Sequence, residues 1–202
     1  MNLKIENLTK VFKDKKVLDI PHYAVHGGEI IGLVGNNGAG KTTLFRVILD
    51  LLKADTGHVT ISGIINGHEV SCDTSKNEAW KAYTGAFVDT GFLIDYLTPE
   101  EYFRFLAKVT GLTDAELNER LRFFDQFMNG EVLGSNTLIR NLSMGNQQKV
   151  GIIGAMLHHP QLLILDEPFN FLDPTTQVSM KNLLGKYGIE HDSTIIVSSH
   201  NL

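Results

Sequence analysis

The sequence lacks the features that mark secreted, membrane-spanning or polyanion-binding chains. Its one cysteine, Cys72, excludes a disulfide within the chain and suits a reducing compartment. No run approaches the roughly 18 consecutive apolar residues of a transmembrane helix, so work at a membrane would require docking onto a spanning partner. The first residues, Met1 to Glu6, bring an acid into a very short apolar stretch and do not form a secretory leader. There is no basic surplus: 18 Lys and Arg stand against 23 Asp and Glu, a formal net charge of −5. Direct contact with nucleic acid is therefore not expected. Internal repeats, low-complexity tracts and long linkers are also missing. What remains is a chain of 202 residues, 43% hydrophobic and 20% charged, ordinary for one globular domain.

The apolar pattern divides the chain into three parts. Strands are expected at Leu3–Leu8, Val17–Val25, Glu29–Val34 and His58–Ile65, the last running into Asn66-Gly67, a hairpin signal. Between them Leu44, Val47, Ile48 and Leu51 share one face of a helix over Lys41–Leu52. The middle is helical. Thr98-Pro99-Glu100-Glu101 opens one helix running to about Thr110, and Thr113-Asp114-Ala115-Glu116 opens another to about Met128. A third starts near Ser143 and stops before Pro160. Strand character returns in Leu162–Leu165, a continuous apolar run suited to burial on both faces of a parallel sheet. A helix over Pro174–Tyr187 and a buried strand over Thr194–Ser198 follow. The order predicts an α/β fold with a helical subdomain inserted.

Gly35-Asn36-Asn37-Gly38-Ala39-Gly40-Lys41-Thr42-Thr43 satisfies the pattern G-x-x-x-x-G-K-[ST], between a strand and a helix. Glycines let the backbone approach anionic oxygens, and the N–H groups of the loop and helix start point at phosphates. Lys41 supplies a point charge for the β- and γ-phosphates, and the Thr42 hydroxyl suits Mg²⁺. Asp166 and Glu167 close the strand Leu162–Leu165, at the sheet edge where ligands bind in open α/β folds. Asp166 can hold Mg²⁺, and Glu167 is placed to polarise an attacking water.

Three further segments complete a resemblance that covers almost the whole chain. Leu142-Ser143-Met144-Gly145-Asn146-Gln147-Gln148-Lys149 looks like the LSGGQ signature of the ABC ATPase family, and Asn170-Phe171-Leu172-Asp173-Pro174 resembles its NGLDP loop. Ser198-Ser199-His200 is similar to its histidine switch. The resemblance implies a P-loop NTPase core with an N-terminal antiparallel β subdomain and an inserted α-helical subdomain. Residues 1–88 and 157–202 would form the core with its β subdomain, and residues 89–156 the helical part. It implies MgATP as ligand, Glu167 as general base, His200 as sensor of the γ-phosphate, and Lys41 with residues Gly35, Asn36, Asn37, Gly38, Ala39, Gly40, Thr42 and Thr43 around the phosphates. Phe12 falls where the family stacks an aromatic on adenine; a core phenylalanine at a strand end is the other reading of that residue.

Ser143 and Gly145 would face the nucleotide of a second domain in a head-to-tail dimer. The remaining partner would be a transmembrane permease subunit, with this chain peripheral on the cytoplasmic face. Asp89 stands where most members carry a glutamine that touches Mg²⁺ and the attacking water; the shorter acid could still ligate Mg²⁺, and a plain surface acid is the other reading of that residue. An acid there resembles a branch concerned with antimicrobial-peptide export or self-protection. Met144 and Asn146 also depart from the signature. Members usually continue past the histidine with further strands and a helix, so a cut chain is expected, with His200 fixed less firmly near its end. The competing functions are a soluble ABC protein acting on ribosomes or nucleic acid, and an ATP sensor without turnover. The first usually carries two such domains or long coiled-coil insertions, which this sequence lacks; the second conflicts with the intact Glu167 and His200.

Overall fold

The chain forms two different four-stranded sheets, an antiparallel one from alternating strands near its start and a parallel one whose two central strands are the continuous apolar runs of the last third. The computed structural model describes residues 1–65 and 67–200. The first sheet is antiparallel, in the order β2-β1-β4-β5, from β1 (Asn2–Phe12), β2 (Lys15–Val25), β4 (Thr56–Ile65) and β5 (His68–Asp73). Period-two burial in β1 turns Leu3 and Ile5 to one face, with Leu8 completing the row. Ile65 pairs with His68 where the hairpin was expected, and Asn66 itself lies outside the described residues.

The second sheet is parallel, in the order β3-β8-β7-β6. It comprises β3 (Ile30–Val34), β8 (Thr194–Ser199), β7 (Leu162–Leu165) and β6 (Thr84–Phe87). Every residue of β7 is buried, and its two faces serve different cores. Leu162 and Ile164 join Leu44, Phe45, Val47 and Ile48 of α1 (Lys41–Ile48), together with the antiparallel sheet. Leu163 and Leu165 face the helical part, α2 (Pro99–Thr110), α3 (Asp114–Arg122), α4 (Asp125–Met128) and α5 (Met144–Met156), and also α6 (Pro174–His191). Helix α1 is thus packed between the two sheets, which fixes the start of that helix relative to β3. Strand β3 lies at the sheet edge, and Ile30 and Val34 are 51% and 47% exposed.

Local signals set the helix ends. Thr98 and Thr113 each form a capping box, with Glu101 and Glu116, and Gly111 ends α2 in the left-handed region. The single helix expected from Thr113 to Met128 is instead two, broken at Phe123 and Phe124. Phe124, Phe127 and Met128 are all buried, and the Phe123 and Phe124 rings at the break meet edge to face, 5.3 Å apart. Strands β5 and β6 carried little sequence signal. Only Cys72 of β5 is buried, and β6 is the weak strand former Thr-Gly-Ala-Phe, held by its ladder to β7. Among the described residues no helix is long and apolar enough to cross a membrane.

Beside α6, the rings of His159 and His191 stand 4.1 Å apart, packed with Tyr187. Burial, the Arg120 charge and the neighbouring histidines His191 and His158 push the His159 imidazole down to about 4. Its folded-state value is below the unfolded one, so protonation favours unfolding. The neutral-ring contribution is complete above about pH 6.5 and is lost as pH falls toward about 4. We expect the melting temperature of His159→Asn, a residue that tolerates the positive φ found here, to fall less than that of the native chain between about pH 6.5 and 4.5. Parallel curves from thermal unfolding would remove His159 as a source of acid sensitivity.

Candidate functional site

Because β3, β7 and β8 run parallel, the segments that follow them emerge at one edge of the sheet. These are the Gly35 loop, the acids Asp166 and Glu167, and His200. Gly35 N donates to Ser199 O (3.3 Å), joining the loop to the end of β8, and Ala39 N donates to Asn36 O (3.0 Å) to close a turn. Gly40 caps α1 with φ 95°, and a Cβ there would lie 2.9 Å from Val17 O. The position requires glycine on both counts. The loop then passes directly into α1, with its first-turn N–H groups facing outward from the helix start, an arrangement that favours an anion.

Lys41 is buried and its Nζ donates to Gly35 O and, at 3.5 Å, to Asn36 O. The same ammonium lies 3.3 Å from Glu167 Oε1. Glu167 Oε2 accepts from the His200 backbone N–H at 3.2 Å and lies 2.8 Å from His200 Nδ1. Glu167 is therefore held between a cation on α1 and the residue after β8, and these two bonds fix His200. Burial pushes the Glu167 carboxyl up, but hydrogen bonds from His200 and Lys41 and the charges behind them more than offset it. Its net position is below the usual glutamate range, so it is ionised at neutral pH and able to accept a proton. Phe12, Val17, residues 37–43 and Glu167 line a groove of about 470 Å³. Phe12, at the end of β1, is 45% exposed there, with Lys10 Nζ 5.5 Å from its ring centre. An exposed ring beside a phosphate-type loop suits stacking better than core packing.

The remaining expected residues lie elsewhere. Asp89 follows β6 and caps a short 3₁₀ turn, its Oδ1 accepting from Gly91 N at 2.8 Å. It lines a separate groove of about 700 Å³ with Phe92, Tyr102, Leu106 and Val109. Ser143 is exposed and caps α5, accepting from Asn146 N at 3.2 Å. Two residues on, a Cβ on Gly145 would lie 2.8 Å from Phe171 O, so this glycine also allows α5 to approach the 170–173 loop of its own chain. Thr42, Thr43 and Asn37 line the first groove, as expected.

Two residues without an assigned role in the sequence reading belong to the site. Ser198 is fully buried; its hydroxyl donates to Asp166 Oδ1 and accepts from Glu167 N at 2.8 Å, so it sets both acids at once. The signal was the first of two serines that close the apolar run Ile195–Val197. Gln148, buried inside the signature-like segment, donates to Glu167 O. The oxygen-rich donor set of Thr42 and Asp166 fits a hard cation such as Mg²⁺. Among the described residues no three His, Cys, Asp or Glu side chains converge on a metal position.

Comparison with known proteins agrees with this geometry. The sequence model of the ABC transporter family matches residues 18–170. The chain belongs to that family. An uncharacterized ABC transporter ATP-binding protein of Methanocaldococcus jannaschii is 34% identical over 99% of the chain, which spans 68% of that protein. The bacitracin transport ATP-binding protein BcrA of Bacillus licheniformis is 33% identical over 99% of the chain, which spans 62% of its length. Among solved structures, the ATP-binding subunit of an ABC transporter superposes with a TM-score of 0.81 at 30% identity, covering the whole chain and 80% of its counterpart. The α/β fold with one antiparallel and one parallel sheet is that of ABC ATPase cassettes, as the resemblance implied.

Replacing Ser198 by alanine strands a buried carboxylate oxygen and a partly buried N–H. We expect a loss of about 1–3 kcal/mol of stability in denaturant unfolding. A change under about 0.5 kcal/mol would mean that both groups find other partners.

Proposed function

We propose that this chain binds and hydrolyses MgATP and couples that cycle to transport by a separate membrane subunit. The observation that supports it most directly is Glu167, ionised and bonded to both Lys41 and His200 at the mouth of the groove that Phe12 and the phosphate loop line. Backbone N–H groups of residues 35–43, with the Thr43 hydroxyl, would cradle the phosphates, Lys41 would neutralise the β- and γ-oxygens, and Phe12 would stack on the base. Thr42 and Asp166 would hold Mg²⁺, which supplies charge neutralisation on the transferring phosphoryl group. Glu167 would orient and deprotonate the attacking water, and His200, anchored to Glu167, would contact the γ-phosphate.

Ser143 and Gly145 have a different task in this reading. The exposed cap of a 13-residue helix favours an anion, and a second chain closing head to tail would present its own nucleotide there. The core would comprise residues 1–88 and 157–202, and the helical subdomain residues 89–156. The stretch from Asp89 to Lys108 would meet the permease, which places the chain on the cytoplasmic face of a membrane. Asp89, which opens that stretch, has one carboxylate oxygen engaged by its turn; Asp89→Gln with unchanged ATPase rate and Mg²⁺ dependence would exclude a metal role. Export of, or self-protection against, antimicrobial peptides is the cargo we favour, on the acid at position 89 and the likeness to a bacitracin transport protein. Cells relying on the chain and its membrane partner should lose resistance to such a peptide with Lys41→Ala; unchanged resistance excludes that cargo.

Steady-state phosphate release and nucleotide titration test the reaction. Glu167→Gln should lower turnover by about 10²–10⁴-fold while nucleotide still binds. Lys41→Ala should weaken ATP binding by about tenfold or more. Equal turnover by the native chain and Glu167→Gln would reject Glu167 as the base.

A further inference from the structure

Glu167 sits in a backbone conformation that side chains rarely adopt, with φ 46°, and Phe171 in the same loop has φ 62°. Such positions persist only where the surroundings over-determine them. Three groups hold Glu167: its N–H donates to Ser198 Oγ, and its carbonyl accepts from Asn170 N at 3.1 Å and from Gln148 Nε2 at 3.1 Å. The first two come from β8 and from the loop itself. Gln148 is different, because it reaches in from α5, which Ser143 caps at its start. It is 4% exposed, so its amide is committed to the interior. The rest of the loop is fastened separately: Gln177 of α6 donates to Phe169 O at 3.3 Å and Leu172 O at 3.1 Å.

We propose that Gln148 is a positioning residue: through the Glu167 carbonyl it aims the general base, and through α5 it ties that aim to the seating of Ser143. The proposal rests on the hydrolytic reading of Glu167 given above. Ser143 and Gln148 are five residues apart on one continuous helix, so about 7–8 Å of rigid backbone separates them. A shift of the α5 start, as when an anion docks at Ser143, moves the Gln148 amide with it. The φ of Glu167 responds, and with it the distance of the carboxylate from Lys41 and His200. Gln148 does not touch the nucleotide groove, so it acts on the orientation of the base and not on the affinity for ATP.

Gln148→Met keeps the volume and removes the donor. With MgATP as substrate, kcat is expected to fall about tenfold, which is about 1.4 kcal/mol, while KM stays within about twofold. Gln177→Met loosens the same loop without touching Glu167 O. Amide exchange across residues 166–173 should rise in both variants, whereas only Gln148→Met should lose turnover. Gln148→Asn, which keeps the amide and shortens its reach, should reproduce the kcat loss and stands in if the methionine variant does not fold. Native turnover in both Gln148 variants, or a joint rise of KM and fall of kcat shared with Gln177→Met, overturns the positioning role. If the native chain itself turns over no faster than Glu167→Gln, the hydrolytic reading fails and takes the positioning role with it.

Discussion

A parallel sheet exists only where apolar matter covers both of its faces, and in this chain β7 carries that requirement most severely. Its four residues split between two cores, one built with α1 and the antiparallel sheet and one built with the helices of the middle and the C-terminal α6. Remove either layer and the strand would expose two leucines or a leucine and an isoleucine to water. The site follows from this packing. The acids leave the end of β7, the phosphate loop leaves the end of β3, and His200 leaves the end of β8, so the positions of all three are set by the same two hydrophobic layers.

Opposed charges do the finer placement. Lys41 would be a poorly solvated ammonium without the loop carbonyls and Glu167, and Glu167 would be a half-buried carboxylate without Lys41 and His200. Each makes the other's burial tolerable. Ser198 adds a neutral anchor between Asp166 and Glu167, so two neighbouring acids are held apart in role by a single hydroxyl. The network brings a cation, a base and a helix start into one groove, a combination suited to a triphosphate and a water.

The phosphate loop, the acid pair and the helix caps were legible in the sequence because each is a local code. A glycine pattern, a buried run ending in two acids, and a threonine three residues before a glutamate need no long-range information. What was not legible is what tertiary contact decides. The break of the helix at Phe123 has no glycine or proline to announce it, and β6 is a strand only because β7 offers it a ladder. Ser198 and Gln148 were visible as letters inside recognised motifs, but their bonds to Asp166 and Glu167 cross more than fifteen residues of chain and could not be read from spacing. Asp89 stood out by comparison of motifs, yet its side chain is satisfied locally by the turn it caps.

The edge position of β3 has a consequence for how the loop behaves. A strand with one hydrogen-bonded neighbour is free to breathe on its other side, and Gly35 is tied to the rest of the sheet through Ser199 of β8. A segment that added to the open side, covering Ile30 and Val34, would reduce that freedom before any ligand arrived. The entropy otherwise surrendered when the loop closes on phosphates would then already be spent, and binding would tighten with no new contact in the groove. The rigidity of the loop would then be set from a surface outside the groove that the loop lines.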